Sequence, residues 1–423
     1  MNHFETRLGE LHCEGVSLAA IAQAVGTPVY VYSQATLERH FNVFREALRA
    51  HPELGEPLIA YAVKANGNVS VLRVLGALGA GADTVSEGEI RRALAAGIPA
   101  SRIVFSGVGK RPEEIEFALK AGVAEINVES EPELDLIASI AERLTLQAPV
   151  VFRVNPDVES GAHAKISTGK ADNKFGVSFA EARRLYAKAA AHPHLAPLGV
   201  ACHIGSQITD LAPFEAAFSK MRGLVEQLRA DGQTVERLDL GGGLGVPYFN
   251  MPEPPSPADY AAMVARVVSG LDVQLAFEPG RMIAANAGVL LTQVLHRHER
   301  PEGRKFLVLD AAMNDLLRPA MYDAFHDIRP VAATNAIPEP FDVVGPVCET
   351  GDTFTRDRMM PSLESGALVA FMSAGAYGAA MASEYNSRPL VPEVLVHGDQ
   401  FAVIRRRPTY EEMLADETAA GWL

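Results

Sequence analysis

The run "LIAYAVKANG" at residues 58–67 sets a single lysine, Lys64, in apolar surroundings. Burying an ammonium costs several kcal/mol unless it is paired or gives up its proton. Such a lysine either snorkels its head group to water or serves as an amine nucleophile able to form a Schiff base, and one residue cannot decide between them. Other candidates stand at comparable points along the chain. "LDLGGGLG" places Gly241, Gly242 and Gly243 after an apolar run, where bare backbone amides can meet a phosphate. Ser206 in "HIGSQ" adds a hydroxyl donor, and Arg281 in "FEPGR" a guanidinium suited to phosphate or carboxylate. Glu278 is either a buried carboxylate paired with Arg281 or an acid that faces a protonated ring nitrogen. His203 is either a core histidine or a flat group that stacks on a ring. An amine, a phosphate cradle, a ring-nitrogen acid and a stacking imidazole together describe a pyridoxal phosphate site.

These residues need a frame that gathers them. From residue 57 to 281, eight short apolar runs ("PLIAYAVKA", "GADTVS", "RIVFSG", "EINVES", "VVFRVNPD", "LGVACHIGS", "RLDLGGGLG", "VQLAFEPGR") alternate with segments whose apolar residues recur every three or four positions. Several of those segments open after Ser, Asp or Glu and close at Gly, as helices do. Eight strand–helix repeats predict a TIM-type (β/α)8 barrel rather than a doubly wound sheet. In a barrel the C-terminal strand ends form one rim, which would collect Lys64, Asp83, Ser86, Ser106, Asn127, Glu129, Asn155, His203, Ser206, residues 241–243, Glu278 and Arg281.

Past residue 285 the runs "FLVLDAA", "FDVVGPVCETGD", "GALVAFMSAGAYG" and "VPEVLVHGDQFAVIRRR", divided by Pro, Gly and Asp, predict a mainly antiparallel β domain. The N-terminal "PVYVYS" reads as a lone strand able to join it. The expected division is residues 1–35 as a segment of the β domain, 36–285 as the barrel and 286–423 as the C-terminal β domain. "MPEPPSP" reads as a surface loop within the barrel.

At 423 residues the chain exceeds one ordinary compact domain, and 48% hydrophobic residues suffice for a large core. A net charge of -14 argues against nucleic acid or an anionic membrane as partner. Cys13, Cys202 and Cys348 are scattered without a CxxC pair, so neither a disulfide framework nor a metal site is expected. The N-terminus has no apolar core and no run reaches the length of a membrane span. A reducing cytoplasm fits.

The motifs "YAVKAN", "HIGSQ", "DLGGGLGVPY", "EPGR", "CETGD" and "GAYGAAMASEYNSRP", in this order and over nearly the whole chain, resemble the fold-type III, alanine-racemase-like decarboxylases, most closely those that act on meso-diaminopimelate. The resemblance implies decarboxylation of meso-2,6-diaminopimelate to L-lysine with pyridoxal phosphate, in a homodimer with shared active sites. It makes Lys64 the covalent anchor of the cofactor, Glu278 the ring-nitrogen partner and His203 the stacking residue. Ser206, Gly242, Gly243 and the stretch Glu278, Pro279, Gly280 and Arg281 would hold the phosphate. Arg281, Arg318 and Tyr322 would bind the distal end of the substrate, and Tyr377 would touch cofactor and substrate. Cys348 would be the proton donor and Glu349 the reader of the distal amine, both reaching in from the partner subunit. "ISTGKADNKFGVS", residues 166–178, resembles the family's mobile loop.

The chemistry of these roles is coherent. A distal carboxylate asks for an arginine with a hydroxyl beside it, and a distal ammonium asks for a carboxylate. Ornithine lacks the distal carboxylate, so Arg318 and Glu349 together argue against an ornithine decarboxylase. Arginine and carboxynorspermidine decarboxylases, an alanine racemase, a small non-catalytic cofactor carrier and a pseudoenzyme are the remaining alternatives. The racemase would need a tyrosine acid–base, the carrier lacks a second domain, and the pseudoenzyme would have lost cofactor residues.

Overall fold

The computed structural model describes residues 2–159, 174–248 and 252–423. Most of the expected loop at 166–178 lies outside them. Two compact units divide the chain: Glu38–Pro247 with Met251–Ile283, and Met1–Leu37 with Tyr248–Asn250 and Ala284–Leu423.

The N-terminus builds more than one strand. β1 (Phe4–Arg7), β2 (Glu10–Cys13) and β3 (Val16–Ser17) form a small antiparallel sheet. Its first turn is Leu8–Gly9, both at positive φ (50° and 82°), as a two-residue hairpin requires. Ser17 then caps α1 (Leu18–Val25) by accepting from the Ala19 and Ala20 amides. Only after these comes β4 (Val29–Ser33), buried along its whole length, so the strand expected to stand alone is the fourth of its unit.

α2 (Gln34–Arg49) leads to the barrel. Its strands are β5 (Leu58–Ala62), β6 (Gly81–Thr84), β7 (Ile103–Phe105), β8 (Glu125–Val128), β9 (Ala148–Arg153), β10 (Leu195–Ala201), β11 (Arg237–Asp239) and β12 (Gln274–Phe277). All pair in parallel, and β12 closes on β5. The connecting helices are α3 (Val69–Ala77), α4 (Glu87–Ala95), α5 (Pro112–Ala121), α6 (Glu131–Leu144), α7 (Phe179–Ala190), α8 (Ala212–Ala230) and α9 (Pro257–Val268). Their starts follow the chemistry of helix ends: Ser86, Ser130, Ser178 and Ser256 each accept a backbone N–H of the first turn. Gly122 ends α5 in the left-handed conformation. Ser86, a rim candidate in the sequence, is thereby occupied as a helix cap.

After α10 (Arg281–Ala284) comes a strand that the sequence reading omitted, β13 (Gly288–Glu299), followed by β14 (Lys305–Leu309), α11 (Arg318–Tyr322), β15 (Ile328–Pro330), β16 (Pro338–Val344), β17 (Thr353–Pro361), β18 (Leu368–Phe371), β19 (Glu393–His397), β20 (Gln400–Arg405) and α12 (Tyr410–Leu414). The sheet runs β17-β16-β14-β13-β4-β19-β20, with β18 also on β13 and β15 on β18. Most pairs are antiparallel; β14 with β16 and β4 with β19 are parallel. β4 thus lies inside the sheet, between β13 and β19. Its core is apolar, with Val29, Val31, Val289, Leu291, Val394 and Val396 buried together.

Candidate active site

Lys64 lies just past β5 in a short 3-10 turn, Val63–Ala65. Its Nζ donates to Oδ2 of Asp83 at 2.7 Å, and the Asp83 side chain, at the end of β6, is 0% exposed while that of Lys64 is 38% exposed. The lysine head group is thus anchored on a buried acid while staying partly open to water. It lines a cavity of about 340 Å³ together with Ser106, Asn127, Arg153, His203 and Glu278. Asn127 donates to Ser106 Oγ at 3.0 Å, and Arg153 to Glu129 Oε1 at 2.9 Å. The same Glu129 accepts the Gly176 amide through Oε2 at 2.8 Å.

Across the rim the three glycines are required by close packing. A Cβ on Gly241 would lie 2.4 Å from the Cys202 carbonyl oxygen, and one on Gly242 would lie 2.2 Å from that of Glu278. The Gly242 N–H donates to Nδ1 of His203 at 3.1 Å. A backbone amide only donates, so Nδ1 is bare and a neutral ring carries its proton on Nε2. Burial, reinforced by the Lys64 and Arg153 charges, holds His203 well below its ordinary pKa, which keeps that ring neutral. Arg281 donates through Nε and a terminal nitrogen to Ser206 Oγ, each at 3.1 Å, and the Pro279 carbonyl accepts from Ala62 at 3.1 Å. The stretch 278–281 is thereby tied to the strand that carries Lys64.

Glu278 has an unannounced companion. Asp239, the last residue of β11, is fully buried. Its Oδ1 accepts the Gly241 amide at 2.7 Å, and its carboxyl lies close enough to that of Glu278 for each to act on the other's titration. Two buried carboxyls near each other resist ionising together. Burial first, then repulsion from Glu125, pushes Asp239 up to about 7. Burial, then Asp239 and Asp83, pushes Glu278 well above the usual carboxylate range. Arg153 and Asp239 were missed in the sequence, although Asp239 carries the same signal as Lys64, a charged residue inside an apolar strand.

The remaining candidates belong to the β unit. Arg318 opens α11 and is buried, with Tyr322 one turn on and less buried. Cys348 and Glu349 are exposed; the Cys348 amide donates to Asn386 Oδ1 at 3.2 Å, and Glu349 contacts the Tyr385 hydroxyl. Asp352, the last residue of "CETGD", fixes this loop by accepting the Met313 and Val347 amides at 2.7 Å each. Tyr377 sits at φ 56°, a left-handed conformation that is costly for a tyrosine and requires support from its surroundings.

Residues 35–285 match the family model of the pyridoxal-dependent decarboxylases, pyridoxal binding domain. A Zymomonas mobilis protein named diaminopimelate decarboxylase is 49% identical over 421 residues, covering 99% of each chain. The chain belongs to the diaminopimelate decarboxylase family. Among solved structures, diaminopimelate decarboxylase from Helicobacter pylori complexed with L-lysine is 43% identical, with a TM-score of 0.90 over 94% of this chain and 98% of that one. The M. jannaschii enzyme in co-complex with L-lysine is 37% identical, with a TM-score of 0.94 over 100% of both.

Pyridoxal phosphate, the cofactor of diaminopimelate decarboxylases, fits the residues present. The barrel rim supplies an amine (Lys64), a proton-holding buried acid (Glu278), a neutral flat ring (His203) and a glycine loop packed so closely that only backbone can occupy it. The buried Asp239 makes its own prediction. In an unfolded chain Asp239 ionises near pH 4; folded, it keeps its proton to about 7. Between these values the native state binds more protons, so the contribution of this group to stability is complete below about pH 4 and is lost as pH rises through about 7. Asp239→Asn, which cannot ionise, should therefore raise the Tm of the cofactor-free protein relative to wild type by an amount that grows from pH 5 to pH 8. A difference independent of pH would show that Asp239 carries no excess proton.

Proposed function

We propose that the protein decarboxylates meso-2,6-diaminopimelate to L-lysine and carbon dioxide at the rim of this barrel, the reaction of the family to which the chain belongs. The observation that carries this reading is the gathering of Lys64, His203 and Glu278 around one cavity. Bound there, pyridoxal phosphate supplies an electron sink for the electron pair left when carbon dioxide departs.

The chain's own residues do the rest. Asp83 Oδ2 accepts from Lys64 Nζ at 2.7 Å and holds at the rim the amine that would bond covalently to the cofactor. Glu278, which burial keeps protonated well above the usual carboxylate range, would face the ring nitrogen, and the nearby buried Asp239 helps keep it so. His203, kept neutral and oriented by the Gly242 amide, offers a flat face to the ring. Gly242, Gly243, Ser206, Pro279, Gly280 and Arg281 form the phosphate cradle, where bare amides, a hydroxyl and a guanidinium meet negative charge. Arg318 with Tyr322 binds the distal carboxylate, Glu349 binds the distal ammonium, and Tyr377 packs against cofactor and substrate. The thiol of Cys348 donates the proton that replaces the lost carboxyl group.

Two further parts belong to the proposal. Cys348 and Glu349 serve the site of a second copy in a homodimer, a reading supported by their exposure on the β unit. The protein works in the cytoplasm, where an exposed free thiol at a catalytic position stays reduced. Purified protein given pyridoxal phosphate should release L-lysine and carbon dioxide from meso-diaminopimelate and leave ornithine and arginine untouched. Turnover of ornithine or arginine without lysine formation from diaminopimelate would overturn the assignment.

A further inference from the structure

Arg318 is 6% exposed, and a buried guanidinium needs compensation. The partners the structure gives it are neutral. Its NH1 lies 3.0 Å from Nε2 of His326, and its guanidinium carbon stands 5.5 Å from the centre of the Tyr248 ring. Among the described residues no carboxylate forms an ion pair with it.

His326 is itself 4% exposed and firmly placed. Its Nδ1 lies 2.9 Å from the Met372 carbonyl oxygen. The next residues are pinned by the sheet: the Met372 amide donates to the Asp327 carbonyl at 2.8 Å, and Ile328 pairs with Phe371 in the β15–β18 register. These contacts determine where the imidazole proton sits. A carbonyl oxygen only accepts, so Nδ1 carries the hydrogen; a guanidinium only donates, so Nε2 is bare. His326 is thus a neutral acceptor that fixes one N–H of Arg318.

We propose that His326 is a positioning residue for substrate selection: it orients Arg318 toward a carboxylate while leaving the guanidinium charge uncancelled. An aspartate or glutamate in its place would hold Arg318 equally well but would neutralise it and compete with the ligand. The inference rests on the reading of Arg318 as the binder of the distal carboxylate, and it goes further by naming what makes that arginine receptive. It also names the ligand feature that is sensed, a carboxylate beside the distal amine. L-lysine carries that carboxylate; cadaverine is the same chain without it.

The test is binding of L-lysine and of cadaverine to the protein loaded with pyridoxal phosphate, measured by calorimetry. His326→Leu should weaken L-lysine by about tenfold or more, the worth of one charge-assisted hydrogen bond, with cadaverine within about twofold of wild type by the same reasoning. His326→Gln, whose amide offers an acceptor to Arg318 and a donor to Met372, should recover most of the loss. His326→Glu keeps an acceptor but adds a negative charge, and should weaken L-lysine at least as much as leucine does. Equal weakening of both ligands by leucine would reduce His326 to a structural residue, and undiminished lysine binding by the glutamate variant would remove the charge argument. Arg318→Met separates the two levels: if it keeps the preference for L-lysine over cadaverine, the reading of Arg318 fails whatever the His326 variants do. Thermal melting of each variant shows that it is folded.

Discussion

Lys64→Ala should lose the visible absorbance of the protein-linked cofactor and lower kcat/KM for meso-diaminopimelate by roughly a thousandfold or more, the scale at which an acid–base nucleophile contributes. The geometry adds a second, independent consequence. Nζ is 2.7 Å from Asp83, whose side chain is 0% exposed, so alanine leaves a carboxylate buried without its cation. Breaking such a pair from one side costs about 3–5 kcal/mol when both partners are buried, and less here because the lysine is partly exposed. The cofactor-free variant should therefore melt below wild type, and Lys64→Ala with Asp83→Asn should recover part of that loss while remaining inactive. Retention of the absorbance band in Lys64→Ala would place the covalent anchor elsewhere. A double variant no more stable than the single one would mean that Asp83 is not the partner that matters.

The second large effect concerns Cys348. Cys348→Ala should lower turnover by about 10²–10⁴-fold, the usual range for a missing general acid. If Cys348 serves the site built on the other copy's Lys64, mixing inactive Lys64→Ala with inactive Cys348→Ala protein regenerates working sites. Random exchange makes about half the dimers mixed, and each mixed dimer has one intact site of two, so about one quarter of wild-type activity should return. No recovery after demonstrated subunit exchange would put both residues in the same chain's site.

The barrel could be read from the chain because each of its eight strands is short, apolar and stopped by a glycine or polar residue. Strand β13 escaped that reading for the opposite reason. Residues 288–292 are all buried, so both faces are covered and the alternation that marks a strand is missing. The hairpin at Leu8–Gly9 escaped because leucine is an unusual first residue for a turn with positive φ at both positions. At the site, Lys64, His203 and Glu278 stood out as polar residues at strand ends. Asp83 was noticed only as a rim residue, since its pairing with Lys64 depends on where two neighbouring strands bring their side chains. His326 left no trace, because an acceptor for Arg318 is defined by the placement of Met372, 46 residues away.

The position of β4 bears on how the protein is made. Val29–Ser33 leaves the ribosome long before one of its two sheet neighbours, β19, Glu393–His397. Roughly 360 residues separate them, which at translation rates of about 5–20 residues per second is roughly 20–70 s of synthesis. The barrel strands are all translated within that interval, while "VYVYS", uncharged and strongly β-forming, still lacks its parallel neighbour. A chain terminated early, anywhere before residue 393, would carry this segment with one edge permanently open. Nascent and truncated forms should therefore be the species that chaperones bind through this segment, and the ones most prone to aggregate.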